Sequence, residues 1–116
     1  LRLIGGKLAK AGFEVLYAQD SHQGREMARR LQPDLILLDI RMPVMDGYQT
    51  LGRLKSEKQT AHIPVVFLTN EDLSPDAAQK VKELGAVDYL HKSIDPDQFV
   101  ARVKKVMQAQ KPLSEQ

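Results

Sequence analysis

Cysteine and tryptophan are both missing from this chain of 116 residues. Without cysteine there can be no disulfides and no thiolate metal sites, which suits a reducing, cytoplasmic setting. Aromatic residues make up only 5% of the chain, too few for a base-stacking platform. Charge of one sign is scarce as well. Seventeen lysines and arginines face 15 acids, for a formal net charge of +2, and the two signs alternate. No basic stripe therefore points to nucleic acid. Long apolar runs are also lacking: LILL (35–38) and PVVFL (64–68) fall far short of the roughly 20 residues a membrane helix needs.

What is present is an ordinary globular balance, 42% hydrophobic and 28% charged, in a length that suits one domain with one core. Residues 1–110 read as that domain, and KPLSEQ (111–116) as a tail or the start of a linker. Within it, two kinds of apolar segment alternate. Residues 14–19, 34–40, 64–70 and 87–92 are short and rich in branched or aromatic side chains. Two of them are continuously apolar, as strands covered on both faces are.

Helical spacing fills the intervals. Ser21 is placed to cap a helix with Met27, Ala28 and Leu31 facing inward, stopped by Gln32-Pro33. A second helix runs from about Gly47 to Lys58, with Tyr48, Leu51 and Leu54 on one stripe. Ser74-Pro75-Asp76 opens a third, which closes at Gly85. Asp95-Pro96-Asp97 opens the last, which buries Phe99, Val100, Val103, Val106 and Met107. Leu1, Ile4 and Leu8 also have helical spacing, with Gly12 as a stop, but the chain begins inside that segment. Strand and helix alternating over short connections predict βαβ units, hence an α/β fold with a doubly wound parallel sheet.

In such sheets function gathers where strands end. Asp39 follows LILL, Thr69 follows PVVF with Leu68, and Lys92 follows DYLH. Singly, each has a plain structural reading as a turn residue, a strand former or a solvated charge. Together, a carboxylate, a hydroxyl and an ammonium suit one task, the handling of a phosphoryl group. The histidines His22, His62 and His91 lack metal-ligand spacing and read as solvated surface residues.

The stretch LILLDIRMPVMDG (35–47), PVVFLT ending at Thr69 and GAVDYLHK (85–92) closely resemble the signatures of response regulator receiver domains. The resemblance implies a flavodoxin-like, CheY-like fold with strand order 2-1-3-4-5. It makes Asp39 the phosphoacceptor, Thr69 a switch hydroxyl, Tyr89 a switch aromatic and Lys92 the lysine that pairs with the aspartate or phosphate. It implies Mg²⁺ held by Asp39, the backbone carbonyl of Arg41 and an acidic pair from the first strand. Asp46-Gly47 reads as a structural turn and helix start. The implied partner is a sensor histidine kinase or histidine phosphotransfer protein in the cytoplasm, with no membrane and no direct nucleic-acid contact. The last helical face is a candidate homodimer surface.

The chain departs from that pattern in places. The first, central strand and its acidic pair would lie before Leu1, so the second and third family strands are expected to lose a neighbour. Ser93 follows Lys92 where the family has a cis proline, and a cis bond before a non-proline residue costs about 2.5–4 kcal/mol. A trans peptide is therefore expected. Asn70 follows Thr69 where the family has a small residue, and Arg41 and Glu71 occupy positions that tune dephosphorylation. The alternative reading is a pseudo-receiver, an interaction module that is not phosphorylated. An aspartyl-phosphate phosphatase would need an aspartate at the position of Arg41.

Overall fold

The structure, a computed structural model, describes residues 14–19, 21–39, 44–70 and 74–109. The opening helical segment, Arg41, Glu71 and the 111–116 tail lie outside the described residues. Those that are described form four parallel strands and four helices in strict alternation: β1 (Val15–Ala18), α1 (Ser21–Leu31), β2 (Leu35–Asp39), α2 (Val44–Ser56), β3 (Val65–Thr69), α3 (Pro75–Glu83), β4 (Asp88–His91) and α4 (Pro96–Ala109).

The sheet order is β1-β2-β3-β4, all parallel. Right-handed crossovers that always advance in one direction put every crossover helix on the same face. Accordingly, Ala28 of α1, Leu51 and Leu54 of α2 and Val81 of α3 pack with Ile36, Leu38, Val65 and Phe67 in one core cluster. The other face carries α4, whose Phe99 and Val103 pack with Leu35, Leu37, Val66, Leu68 and Leu90. Every residue of β2 and β3 is buried, so their unbroken apolar runs serve both clusters.

One expectation is corrected by the pairing. The two strands flanking the family's central strand are not left without neighbours: Val15 to Ala18 lie in register with Leu35 to Leu38. The physical reason is the obligatory pairing of buried backbone groups, which direct β1–β2 contact satisfies.

The helix ends follow their sequence signals closely. Ser74 caps α3, its hydroxyl oxygen accepting from the Ala77 N–H at 3.1 Å, with Pro75 in the first turn. At the other end the Gly85 and Ala86 N–H groups donate to the carbonyls of Lys82 and Val81. Gly85 makes that turn at φ +112, and a Cβ there would meet the Lys55 stem at 2.7 Å. Asp95 caps α4 by accepting from the N–H groups of Asp97 and Gln98 at 3.1 and 3.2 Å. Arg102 of α4 then grips Asp88 of β4 through both carboxylate oxygens, each at 2.8 Å from Nη2.

Three local expectations differ. Ser21 is the first residue of α1 rather than its cap. Leu31 is 52% exposed, because the buried stripe of α1 runs through Gly24 and Ala28 and the helix ends before another turn forms. Gln32, at φ 47, turns the chain away and donates from Nε2 to the Gln59 carbonyl at 2.9 Å. Finally, α2 begins at Val44, so Asp46-Gly47 lie inside its first turns rather than before them.

Candidate functional site at the carboxyl ends of the strands

Asp39 is the last residue of β2 and is fully buried, at 0% exposure. A carboxylate taken out of water needs a charged or hydrogen-bonding partner. Lys92 supplies one: its Nζ forms a salt bridge with Asp39 Oδ1, and its side chain is 16% exposed. The ammonium thus stands at the boundary between the buried carboxylate and solvent. Lys92 follows β4 directly, and its backbone N–H donates to the Thr69 carbonyl at 2.8 Å. One residue therefore joins the other two, by its side chain to Asp39 and by its backbone to Thr69.

Thr69 ends β3 and is 4% exposed. In register, Asp39 lies beside Leu68 and Thr69 beside His91, which places all three expected residues along one rim of the sheet. By strand alternation Thr69 shares the face of Phe67 and Tyr89, whereas Asp39 shares that of Leu35 and Leu37. The two sides meet at the rim, where Lys92 spans them. Tyr89 is half-buried, pairs with Phe67 across β3–β4 and packs against the same cluster as Tyr48. Arg41 lies outside the described residues.

Among the described residues no peptide bond is cis, so Lys92–Ser93 is trans as its sequence implies. Asn70 is exposed. Its carbonyl, rather than its side chain, is engaged at the site, lying 2.8 Å from His91 Nε2. The reading of the histidines holds for His62, which is exposed, and for His22, whose side chain is 87% exposed. It fails for His91, which is half-buried with both ring nitrogens bonded. The signal available in sequence was the His-x-Ser spacing at a strand end, where an imidazole can accept from a backbone N–H two residues on.

Among the described residues no group of three or more His, Cys, Asp or Glu side chains converges as a metal site. Asp39 alone of the expected Mg²⁺ ligands is described, so the described donors do not by themselves make a metal centre. Likewise, no helix among the described residues is long and apolar enough to cross a membrane.

A parallel α/β sheet with a buried carboxylate–ammonium pair on its carboxyl rim belongs to the class of domains whose function sits at the strand ends. Comparison with known proteins narrows this class. The response regulator receiver domain family matches residues 1–104. The chain is 39% identical over 105 residues to the DNA-binding dual master transcriptional regulator RpaA of Synechocystis, spanning 90% of this chain and 43% of that protein. It is 35% identical to Protein PilH of Pseudomonas aeruginosa, covering 86% of this chain and 82% of that one. It spans only 23% of the response regulator PleD of Caulobacter vibrioides, at 42% identity. Among solved structures, chemotaxis response regulator CheY4 of Vibrio cholerae superposes with a TM-score of 0.75 at 30% identity, over 90% of this chain and 87% of that one. The chain belongs to the response regulator receiver domain family of two-component signal transduction, a signalling module rather than an enzyme of the ordinary kind.

Proposed function

We propose that the chain is a phosphoacceptor receiver: Asp39 takes a phosphoryl group from a phosphohistidine donor and the domain changes its surface in response. The observation that carries this is the single rim shared by Asp39, Thr69 and Lys92, with the Lys92 ammonium on the Asp39 carboxylate. A carboxylate oxygen attacks phosphorus, the bond to the donor nitrogen breaks, and the electron pair leaves with the imidazole. Lys92 offsets the negative charge gathering on the phosphoryl oxygens, and the Thr69 hydroxyl donates to one of them. Phosphorylation adds charge and acceptor oxygens beside Thr69. Because Thr69 shares a face with Tyr89, the Thr69–Tyr89 pair is the element whose rearrangement shifts the surface formed by α3, β4 and α4.

Several finer expectations belong to this reading. Residues 1–110 act as one receiver domain. The four described strands correspond to strands 2, 3, 4 and 5 of the family order 2-1-3-4-5. Family membership implies a histidine kinase partner, and a histidine phosphotransfer protein is a second donor of the same chemistry. Mg²⁺ is a family property: Asp39 would be among its ligands, and the ion would neutralise charge at the carboxylate. The module works in the cytoplasm, and the outer face of α4 serves as a homodimer surface.

The test is label incorporation from a small phosphodonor, acetyl phosphate with Mg²⁺, into the wild type and Asp39→Asn. Wild type should gain a base-labile acyl phosphate and the variant should not. Equal stable labelling of Asp39→Asn would show that the acceptor lies elsewhere. No labelling of the wild type would favour the non-phosphorylated interaction module.

A further inference from the structure

His91 ends β4 between Leu90 and Lys92, and its ring holds two loops at once. Nδ1 accepts from the Ser93 backbone N–H at 3.1 Å and lies 2.6 Å from Ser93 Oγ. Nε2 lies 2.8 Å from the Asn70 carbonyl oxygen. A backbone N–H can only donate and a carbonyl can only accept, so the partners themselves fix the ring as neutral with its proton on Nε2. The hydroxyl of Ser93 then donates to Nδ1 as well. His91 also accepts through its own carbonyl from the Ile94 N–H at 3.1 Å, closing a turn over residues 91–94.

The residues so tied are informative. Asn70 follows Thr69, and Ser93 follows Lys92. Lys92 occupies a corner of the 91–94 turn, in which the Ser93 and Ile94 N–H groups both donate to His91. Its peptide link to Ser93 is trans and proline-free, so ring closure does not hold the corner. We infer that His91 is a positioning residue: its Nε2-protonated ring clamps the loops after β3 and β4 together and so holds the Lys92 ammonium against Asp39 beside Thr69. The inference rests on the phosphoacceptor reading for its effect on phosphotransfer, but the clamp itself is independent of it.

The experiment uses the full chain in four forms: wild type, His91→Phe, His91→Gln and Ser93→Ala. Phenylalanine keeps a ring and loses both nitrogens, whereas glutamine keeps an N–H donor near Nε2 for the Asn70 carbonyl. Proton–nitrogen NMR reads the His91 tautomer and the Lys92 ammonium signal, thermal melting reads stability, and acetyl phosphate with Mg²⁺ reads acyl phosphate formation. We expect an Nε2–H tautomer and a Lys92 ammonium signal that broadens in His91→Phe and returns in His91→Gln. A positioned group set about 1 Å off loses on the order of 100-fold. Loosening Lys92 through its loop should slow His91→Phe about tenfold and Ser93→Ala about threefold, with His91→Gln recovering most of the rate.

Rescue by glutamine at equal melting temperature is the result that separates positioning from bulk stability. An Nδ1–H tautomer, or an unchanged Lys92 signal in both His91→Phe and Ser93→Ala, would overturn the clamp. So would wild-type rates in both of those variants. Ser93→Ala keeps the question open to measurement should His91→Phe not fold. If the wild type takes no phosphoryl group at all, the phosphoacceptor reading fails, and the two NMR signals alone decide the clamp.

Discussion

Lys92→Met is the substitution that probes the rim most sharply, because it removes the charge and keeps a packed stem. Asp39 is 0% exposed and its ion-pair partner Lys92 is 16% exposed, so the two ends of the bridge are not equivalent. Deleting the ammonium leaves a carboxylate inside the fold, and breaking a buried pair from one side costs about 3–5 kcal/mol. The partial exposure of Lys92 places this case near the lower end, about 3 kcal/mol, or roughly 10 °C in melting temperature for a domain of this size. Asp39→Asn should be milder, about 1 kcal/mol, since the freed ammonium can extend toward water. The double variant Asp39→Asn/Lys92→Met should recover about 2 kcal/mol relative to the sum of the single losses. Urea unfolding of the four proteins at constant slope measures this cycle. Lys92→Met within about 0.5 kcal/mol of wild type, or strictly additive losses, would refute the buried-pair reasoning.

Other consequences follow from the helix ends and the Arg25–Glu57 pair. Ser74→Ala should cost about 1 kcal/mol by removing the cap on α3, read by chemical denaturation. Gly85→Ala should cost about 1–3 kcal/mol, since φ +112 is unfavourable for an L side chain and the new Cβ meets the Lys55 stem; a near-neutral result would contradict that turn geometry. Glu57 is held below the usual carboxylate range first by its hydrogen bond from Arg25 and then by the charges of Arg25, Arg29 and Arg53. A depressed folded-state value contributes stability above the unfolded-state pKa and loses it as pH falls through the folded-state value. The stability gap between wild type and Glu57→Gln should therefore be full above the ordinary carboxylate range and shrink as pH falls through and below it, as followed by urea unfolding across pH.

The legible parts of the fold were those governed by local chemistry. LILL and PVVFL are apolar at every position because β2 and β3 feed both core clusters, and Ser74-Pro75-Asp76 and Asp95-Pro96-Asp97 carry their caps in the sequence itself. Asp39 and Thr69 could be singled out because each follows an apolar run, and Lys92 because it follows the last strand segment, DYLH. The direct pairing of β1 with β2 was not legible, since a strand's spatial neighbour depends on which backbone groups lie free across the sheet. Leu31 misled because a helical stripe says nothing about where the helix runs out of core. His91 was hidden for a related reason. Its partners are the Asn70 carbonyl, 21 residues away in the chain, and a nearby serine, and only the closed rim brings them onto one ring.

Fluorine NMR with beryllofluoride, a stable mimic of an acyl phosphate, would measure directly whether the three strand ends serve one oxyanion. Bound to Asp39, its fluorines should show magnetisation transfer to both the Lys92 ammonium and the Thr69 side chain, and binding should vanish in Asp39→Asn. A bound signal that reaches neither residue, or one that persists in Asp39→Asn, would place the chemistry away from this rim.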